Sequence, residues 1–379
     1  MLALTVFALL PLLSLVRAVP LEEDHARRCT FDIKTYADVP KAISSKCAVV
    51  TIGAITVPSG KALDLSGLPK GASVSVTGNV VFTGGTEWEG PMFILGGEGV
   101  NFNGNGHTFD GQGQKYWDGL GGNGGKTKPQ MMKIKSSGTF SNLIVKNSPR
   151  HVFSIGNKAP LKITGVTIDN KAGDVLGSNG KALGHNSDCF DVSANEVTLD
   201  KNTCYNQDDC LAINKGSNIV FSNNYCSTAN ISGSGGHGIS IGSIKDGATV
   251  SNVKITGNTV VKSDNGLRIK TVSGAKNGAV SDITYTGNTV TGATKAAIII
   301  QQDYENGSPT GKPTNGITIS NINFAAGNVV SASGSKAKQV YVLCGSGSCK
   351  GTWDWSGLKT SGGIKGSITG SPPIKGYTL

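Results

Sequence analysis

Charge is scarce in this sequence. Asp, Glu, Lys and Arg make up 16% of the 379 residues and hydrophobic residues 37%, a balance that excludes a disordered polyelectrolyte and leaves enough apolar material for a real core. No CxxC and no paired-His spacing occurs, so a zinc site is not expected, and no cofactor or metal is assigned. Beyond Ala18 nothing continues the apolar run of the N-terminus, so no membrane partner is expected. No low-complexity linker interrupts the chain, and one domain is expected.

What is plentiful is Gly, at 54 residues, with Ser, Thr and Asn beside it. Each Gly disfavours a helix interior, which points to strands and turns rather than a helical bundle. The net charge of +10 favours an anionic partner.

Residues 1–18 hold the stretch MLALTVFALLPLLSLV followed by Arg17 and Ala18, which reads as a secretory signal peptide. Residues 19–28 end in Arg27 and Arg28 directly before Cys29 and read as a short pro-segment, hence a zymogen whose body spans 29–379. A secreted, extracellular location makes the eight cysteines legible as disulfides. Local spacing suggests Cys29 with Cys47, Cys210 with Cys226, and Cys344 with Cys349, leaving Cys189 and Cys204 as a bridge or as two buried thiols. Sequons at Asn230 and Asn306 fit the same route as glycosylation sites.

A short apolar segment followed by an Asn-rich turn recurs from Leu143 onward, at Val166, Val197, Ile219, Val253, Ile283 and Ile317. The shortest steps, 23 residues from Leu143 to Val166 and 22 from Val197 to Ile219, suit a parallel β-solenoid in which insertions leave from the turns. Propeller blades repeat at about 40 to 50 residues. An all-β, single-domain solenoid is therefore expected.

A second register carries the chemistry. Asp188, Asp209, His237 and Asn265 each open a similar apolar strand, at offsets of 21, 28 and 28, so Asp188, Asp209 and His237 are expected to stand above one another. Arg268 and Lys270 alternate with Leu267 and Ile269 and are expected to form an exposed strip beside the carboxylates. Carboxylates packed this closely cannot all ionise freely, so at least one should hold a proton and be able to donate it. Taken alone, Asp208-Asp209 would equally suit a solvated turn or a calcium ligand set.

Asn186-Ser187-Asp188, Gln207-Asp208-Asp209, Gly236-His237-Gly238 and Arg268-Ile269-Lys270, in that order and followed by QQDY ending at Tyr304, resemble the signature of polygalacturonases in glycoside hydrolase family 28. FDGQGQKYWDG from Phe109, NSP at Asn147 and TGKPTNG from Thr310 are similar to fungal endopolygalacturonases. The resemblance implies a right-handed parallel β-helix that hydrolyses α-1,4-linked galacturonate chains of pectin with inversion. It implies Asp208 as general acid, Asp188 and Asp209 as the pair that activates water, and His237 as keeper of the acid's protonation. Arg268, Lys270, Tyr304 and Asn186 are the implied substrate contacts. Inversion needs room for water between acid and base, roughly 6.5 to 9.5 Å. The implied partner is polygalacturonate, with no nucleic acid, and a monomer is expected.

Two other classes are open to the same scaffold. A silent polygalacturonate binder would lack one essential carboxylate, and none is missing here. A calcium-dependent pectate lyase would show a calcium-ligating Asp cluster and an Arg base instead of an Asp, Asp and His set.

Overall fold

The computed structural model describes residues 29–228 and 236–379. The expected signal peptide, the pro-segment and the sequon at Asn230 lie outside the described residues.

Short strands in which buried residues alternate with more accessible ones, such as Leu161–Thr164 and Val197–Asp200, present one apolar face each. They stack in parallel ladders into coils. Three faces run along the axis, two of them joined into one 22-stranded sheet and the third an 11-stranded sheet. The chain is a single-domain, right-handed parallel β-helix, the hand that strand twist imposes on parallel crossovers. The core is a file of aromatic rings in the N-terminal half, with Phe102 stacked on Phe140 and Phe153 on Phe190. Val and Ile fill most of the later coils.

The repeat read from the sequence resolves into two faces. Val197, Ile219, Val253 and Ile283 do pair in one register, but Ile283 continues to Ile322 and not to Ile317. Leu143 and Val166 precede strands of the 11-stranded face, where Ile144 pairs with Thr167 and Thr167 with Thr203. An apolar strand ending in an Asn turn looks the same on either face, so periodicity alone merged them.

Those turns contain a ladder. Asn202, Asn224, Asn258, Asn288 and Asn328 are buried. The backbone N and Nδ2 of each donate to Oδ1 of the next at 2.9–3.1 Å. The residue before each is left-handed: Lys201, Asn223, Gly257, Gly287 and Gly327. The corner thus satisfies its own buried polar groups.

Both ends of the apolar axis are covered. The short helix Val39–Ser45 buries Val39 and Ala42 over the first strands, and Trp353, Trp355 and Tyr377 close the other end. Disulfides join Cys29 to Cys47, Cys210 to Cys226 and Cys344 to Cys349, while Cys189 and Cys204 are buried free thiols.

Candidate active site

Five strands of one face build the site: Phe190–Ser193, Asp209–Ser222, His237–Ile244, Asn265–Val272 and Ala296–Tyr304. Phe190 pairs with Leu211, Leu211 with Ile239, and Ile239 with Leu267. That register sets Asp209 beside His237 and His237 beside Asn265, and puts Asp188 one coil earlier in the same file.

The segment Asn206-Gln207-Asp208-Asp209 is bent so that two consecutive carboxylates reach one place. Buried Asn206 is the clamp, its Nδ2 donating to the carbonyls of Ser187, Asp208 and Asp209. The backbone N–H of Asp209 donates to Oδ1 of Asp208 at 2.9 Å. Gln207 turns inward, taking the Ser187 hydroxyl on Oε1 and donating Nε2 to the Asn170 carbonyl and to Asp174. One oxygen each from Asp188, Asp208 and Asp209 then lies within 4.8 Å of the others.

The three carboxyls do not share one state. Burial, then the neighbouring Asp209, pushes Asp208 up to about 7. Burial and Asp208 push Asp188 well above the usual range. In Asp209 the cost of burial is outweighed by Lys270 and Arg268, and its carboxyl lies below the usual value. Both of its oxygens are engaged, Oδ1 by the Ser240 hydroxyl at 2.5 Å and Oδ2 by Lys270 Nζ at 2.7 Å. At neutral pH the cluster holds one firm anion, Asp209, beside a carboxyl poised to give up a proton.

Arg268 and Lys270 correct the expected exposed strip: only 3% and 5% of their surface is accessible. Lys270 is spent on Asp209. Arg268 has one long contact, Nη2 to Gln301 Oε1 at 3.5 Å, and its Nε and Nη1 find no partner among the described residues. Both cations lie 5.0 Å from the centre of the Tyr304 ring.

Burial and the nearby Arg268 hold His237 well below its usual range, so its imidazole is neutral. Asn265 Nδ2 lies 3.1 Å from His237 Nδ1; as a donor it leaves the ring proton on Nε2. Asn186 donates Nδ2 to Asp208 Oδ2 at 2.8 Å, and its own Oδ1 accepts from Gly122 N and Asn123 Nδ2. Gly121 is required there, because a Cβ would stand 2.4 Å from Asn186 Oδ1. Asn123 also accepts from Asn306, whose Oδ1 takes the Tyr304 hydroxyl.

Sequence reasoning brought together Asp188, Asp208, Asp209, His237, Arg268, Lys270, Tyr304 and Asn186, and missed others. His185 Nδ1 lies 4.0 Å from Asp208 Oδ2. His151 reaches Asp188 and Asp191 at 3.6 Å each. Asp191 and Ser240 stand at outward positions of the paired strands, a signal available from their alternation with Phe190 and Val192, and with Ile239 and Ile241.

The sequence model of the family described as Glycosyl hydrolases family 28 matches residues 47–374. The chain is 45% identical over 363 residues to a polygalacturonase of Cochliobolus carbonum, covering 93% of each chain. To endopolygalacturonase 1 of Colletotrichum lindemuthianum it is 44% identical over 381 residues, covering 98% of each. Among solved structures, endopolygalacturonase I of Stereum purpureum, complexed with two galacturonates, superposes with a TM-score of 0.81 at 43% identity, covering 92% of this chain and 98% of that one.

Proposed function

The chain belongs to the glycosyl hydrolases of family 28, and on that premise we propose that it is a secreted endopolygalacturonase that cleaves internal α-1,4-galacturonosyl linkages of pectin with inversion. The observation that carries the reading is the buried guanidinium of Arg268, with two nitrogens unpartnered among the described residues, beside three carboxyls in unlike protonation states. A buried cation with unspent donors suits a planar carboxylate ligand, which galacturonate offers on every ring. Endopolygalacturonases among the relatives support the same substrate.

In this mechanism Asp208 donates its proton to the glycosidic oxygen as the bond to the leaving sugar breaks. Asp188 and Asp209 hold the attacking water, and ionised Asp209 takes its proton. Three oxygens within 4.8 Å of one another leave a point no more than about 2.8 Å from each, within hydrogen-bond reach. The short spacing therefore suits a water cradled among all three, in place of one held between two opposed groups. Lys270 keeps Asp209 ionised. Neutral His237, with Nε2–H as donor, orients the cluster without adding a charge to it. Arg268 and Tyr304 hold the substrate's carboxylate and ring, and Asn186 steadies the acid. Every group comes from one chain, which fits action as a monomer. Three disulfides and the N-terminal apolar stretch support an extracellular location.

The test is the reaction itself. Polygalacturonate should lose chain length early in digestion, and proton NMR of the new reducing ends should show the β-anomer before mutarotation. Monomer released from chain ends would overturn endo action, and the α-anomer would overturn inversion.

A further inference from the structure

Asp208 has one neighbour whose place in the reaction is unassigned. His185, directly before Asn186, is mostly buried, and its Nδ1 is a buried nitrogen with no hydrogen-bond partner among the described residues. That nitrogen lies 4.0 Å from Asp208 Oδ2, the oxygen that already accepts from Asn186 Nδ2. An orphaned buried nitrogen is costly unless it is used at some point in the working cycle. A hydrogen bond between His185 and Asp208 needs that gap to close by about 1 Å.

The chemistry needs such a partner. The two described hydrogen bonds to the Asp208 carboxyl, from Asn186 Nδ2 and from the Asp209 N–H, are both donated to it and both favour the carboxylate. Neither holds the proton that a general acid must carry. A lone pair on the imidazole would. The ring is fit for that part: burial and then Lys181 lower its titration to about 4, so between about pH 4 and 7 it is neutral while Asp208 is still protonated. The other charged groups around the acid act through space: Asp209, Asp188, Lys270 and Arg268, with Asp174 one step behind through Gln207.

We propose that His185 is a positioning residue for the general acid, its Nδ1 accepting the hydroxyl of protonated Asp208 and so keeping the proton on Oδ2 until the glycosidic oxygen takes it. The inference rests on the reading of Asp208 as the acid. It adds no proton to the balance: the proton leaves Asp208 for the leaving group, and His185 only accepts a hydrogen bond before that step. When the substrate oxygen enters, it competes for the same hydroxyl, so the contact is made in the resting enzyme and released in the transition state.

The experiment compares His185→Ala and His185→Asn with the parent enzyme across pH on polygalacturonate, with Tm recorded for each. Asn places its Oδ1 near the position of Nδ1 and keeps the acceptor. For His185→Ala the expected result is a fall in kcat of about tenfold with KM within about twofold, and an alkaline limb of kcat/KM moved about half a unit or more toward acid, because the protonated acid has lost its acceptor. His185→Asn should recover most of both effects. An unmoved alkaline limb in the Ala variant would overturn the inference, as would an Asn variant as impaired as Ala. Should Ala lower Tm sharply, His185→Phe fills the space without an acceptor and reads out the same shift. Asp208→Asn separates the two claims: if that variant stays active, the acid assignment falls and this inference with it. If it is inactive while the limb of the Ala variant is unmoved, only this inference falls.

Discussion

Lys270 Nζ sits 2.7 Å from Asp209 Oδ2, with both side chains almost wholly buried. A cation expected to meet the substrate is thus already committed to a carboxylate of the enzyme. In the proposed mechanism, recognition of the substrate's negative charge falls to Arg268, and Lys270 sets the state of the base.

Replacing Lys270 by Ala should therefore act on the base. Asp209 loses the interaction that keeps it low, so the acid limb of the pH-rate profile should move toward higher pH. Removing one member of a buried pair should also cost about 3–5 kcal/mol of stability, measurable by urea unfolding. The ratio of variant to parent activity should be the same on free and methyl-esterified oligomers, whereas for Arg268→Ala the defect should shrink on the ester.

Asp208→Asn should lower kcat by roughly a thousandfold, the order contributed by a positioned general acid. Binding of oligogalacturonate, followed by calorimetry, should change little, because the proton matters only in the transition state. Substrate affinity falling in step with kcat would assign Asp208 to binding.

The same variant makes a prediction about stability. Asp208 is held well above its ordinary value in the fold, so between about pH 4 and 7 the native state binds a proton that the unfolded chain has released. Its contribution is fully present at low pH and is lost as pH rises through about 7. Asp208→Asn does not titrate, so its unfolding free energy should exceed that of the parent at pH 8, by a margin on the order of 4 kcal/mol, and converge near pH 4. A constant difference across pH would show that the carboxyl is not raised.

Chelation should leave activity unchanged. The three carboxylates are close enough to hold a divalent cation, yet the Lys270 ammonium already balances Asp209 at 2.7 Å, and Asp188 and Asp208 are held toward their neutral forms. A loss in EDTA that calcium restores would contradict this.

The asparagine ladder gives a prediction far from the chemistry. Asn258→Ala leaves two donors of Asn224 without their acceptor and removes the side-chain bonds to Asn288 Oδ1 and the Phe221 carbonyl, which should cost roughly 2–5 kcal/mol. Exposed Lys254→Ala, on the strand just before that turn, should stay within about 0.5 kcal/mol.

How much of this was legible in the sequence follows from what spacing encodes. The file of Asp188, Asp209 and His237 could be read because parallel ladders keep equal offsets between equivalent residues. The three disulfides could be read because each closes a short loop. The pairing of Lys270 with Asp209 could not, because their separation of 61 residues leaves no local trace. Nor could the contact between Asn123 and Asn306, made by two loops 183 residues apart. Asp208 departs from strict alternation, since the clamp of Asn206 turns two successive carboxylates to one place.

Coils that hydrogen-bond only to their neighbours also govern where the molecule fails first. In such a stack, opening starts at an end and travels inward one coil at a time. The strands bearing Asp209, His237 and Arg268 have coils on both sides, from Thr30–Ile33 before them to Ile364–Thr369 after. Fraying at either terminus therefore leaves the register of the site intact, and amide exchange should be slowest in the very strands that carry the chemistry.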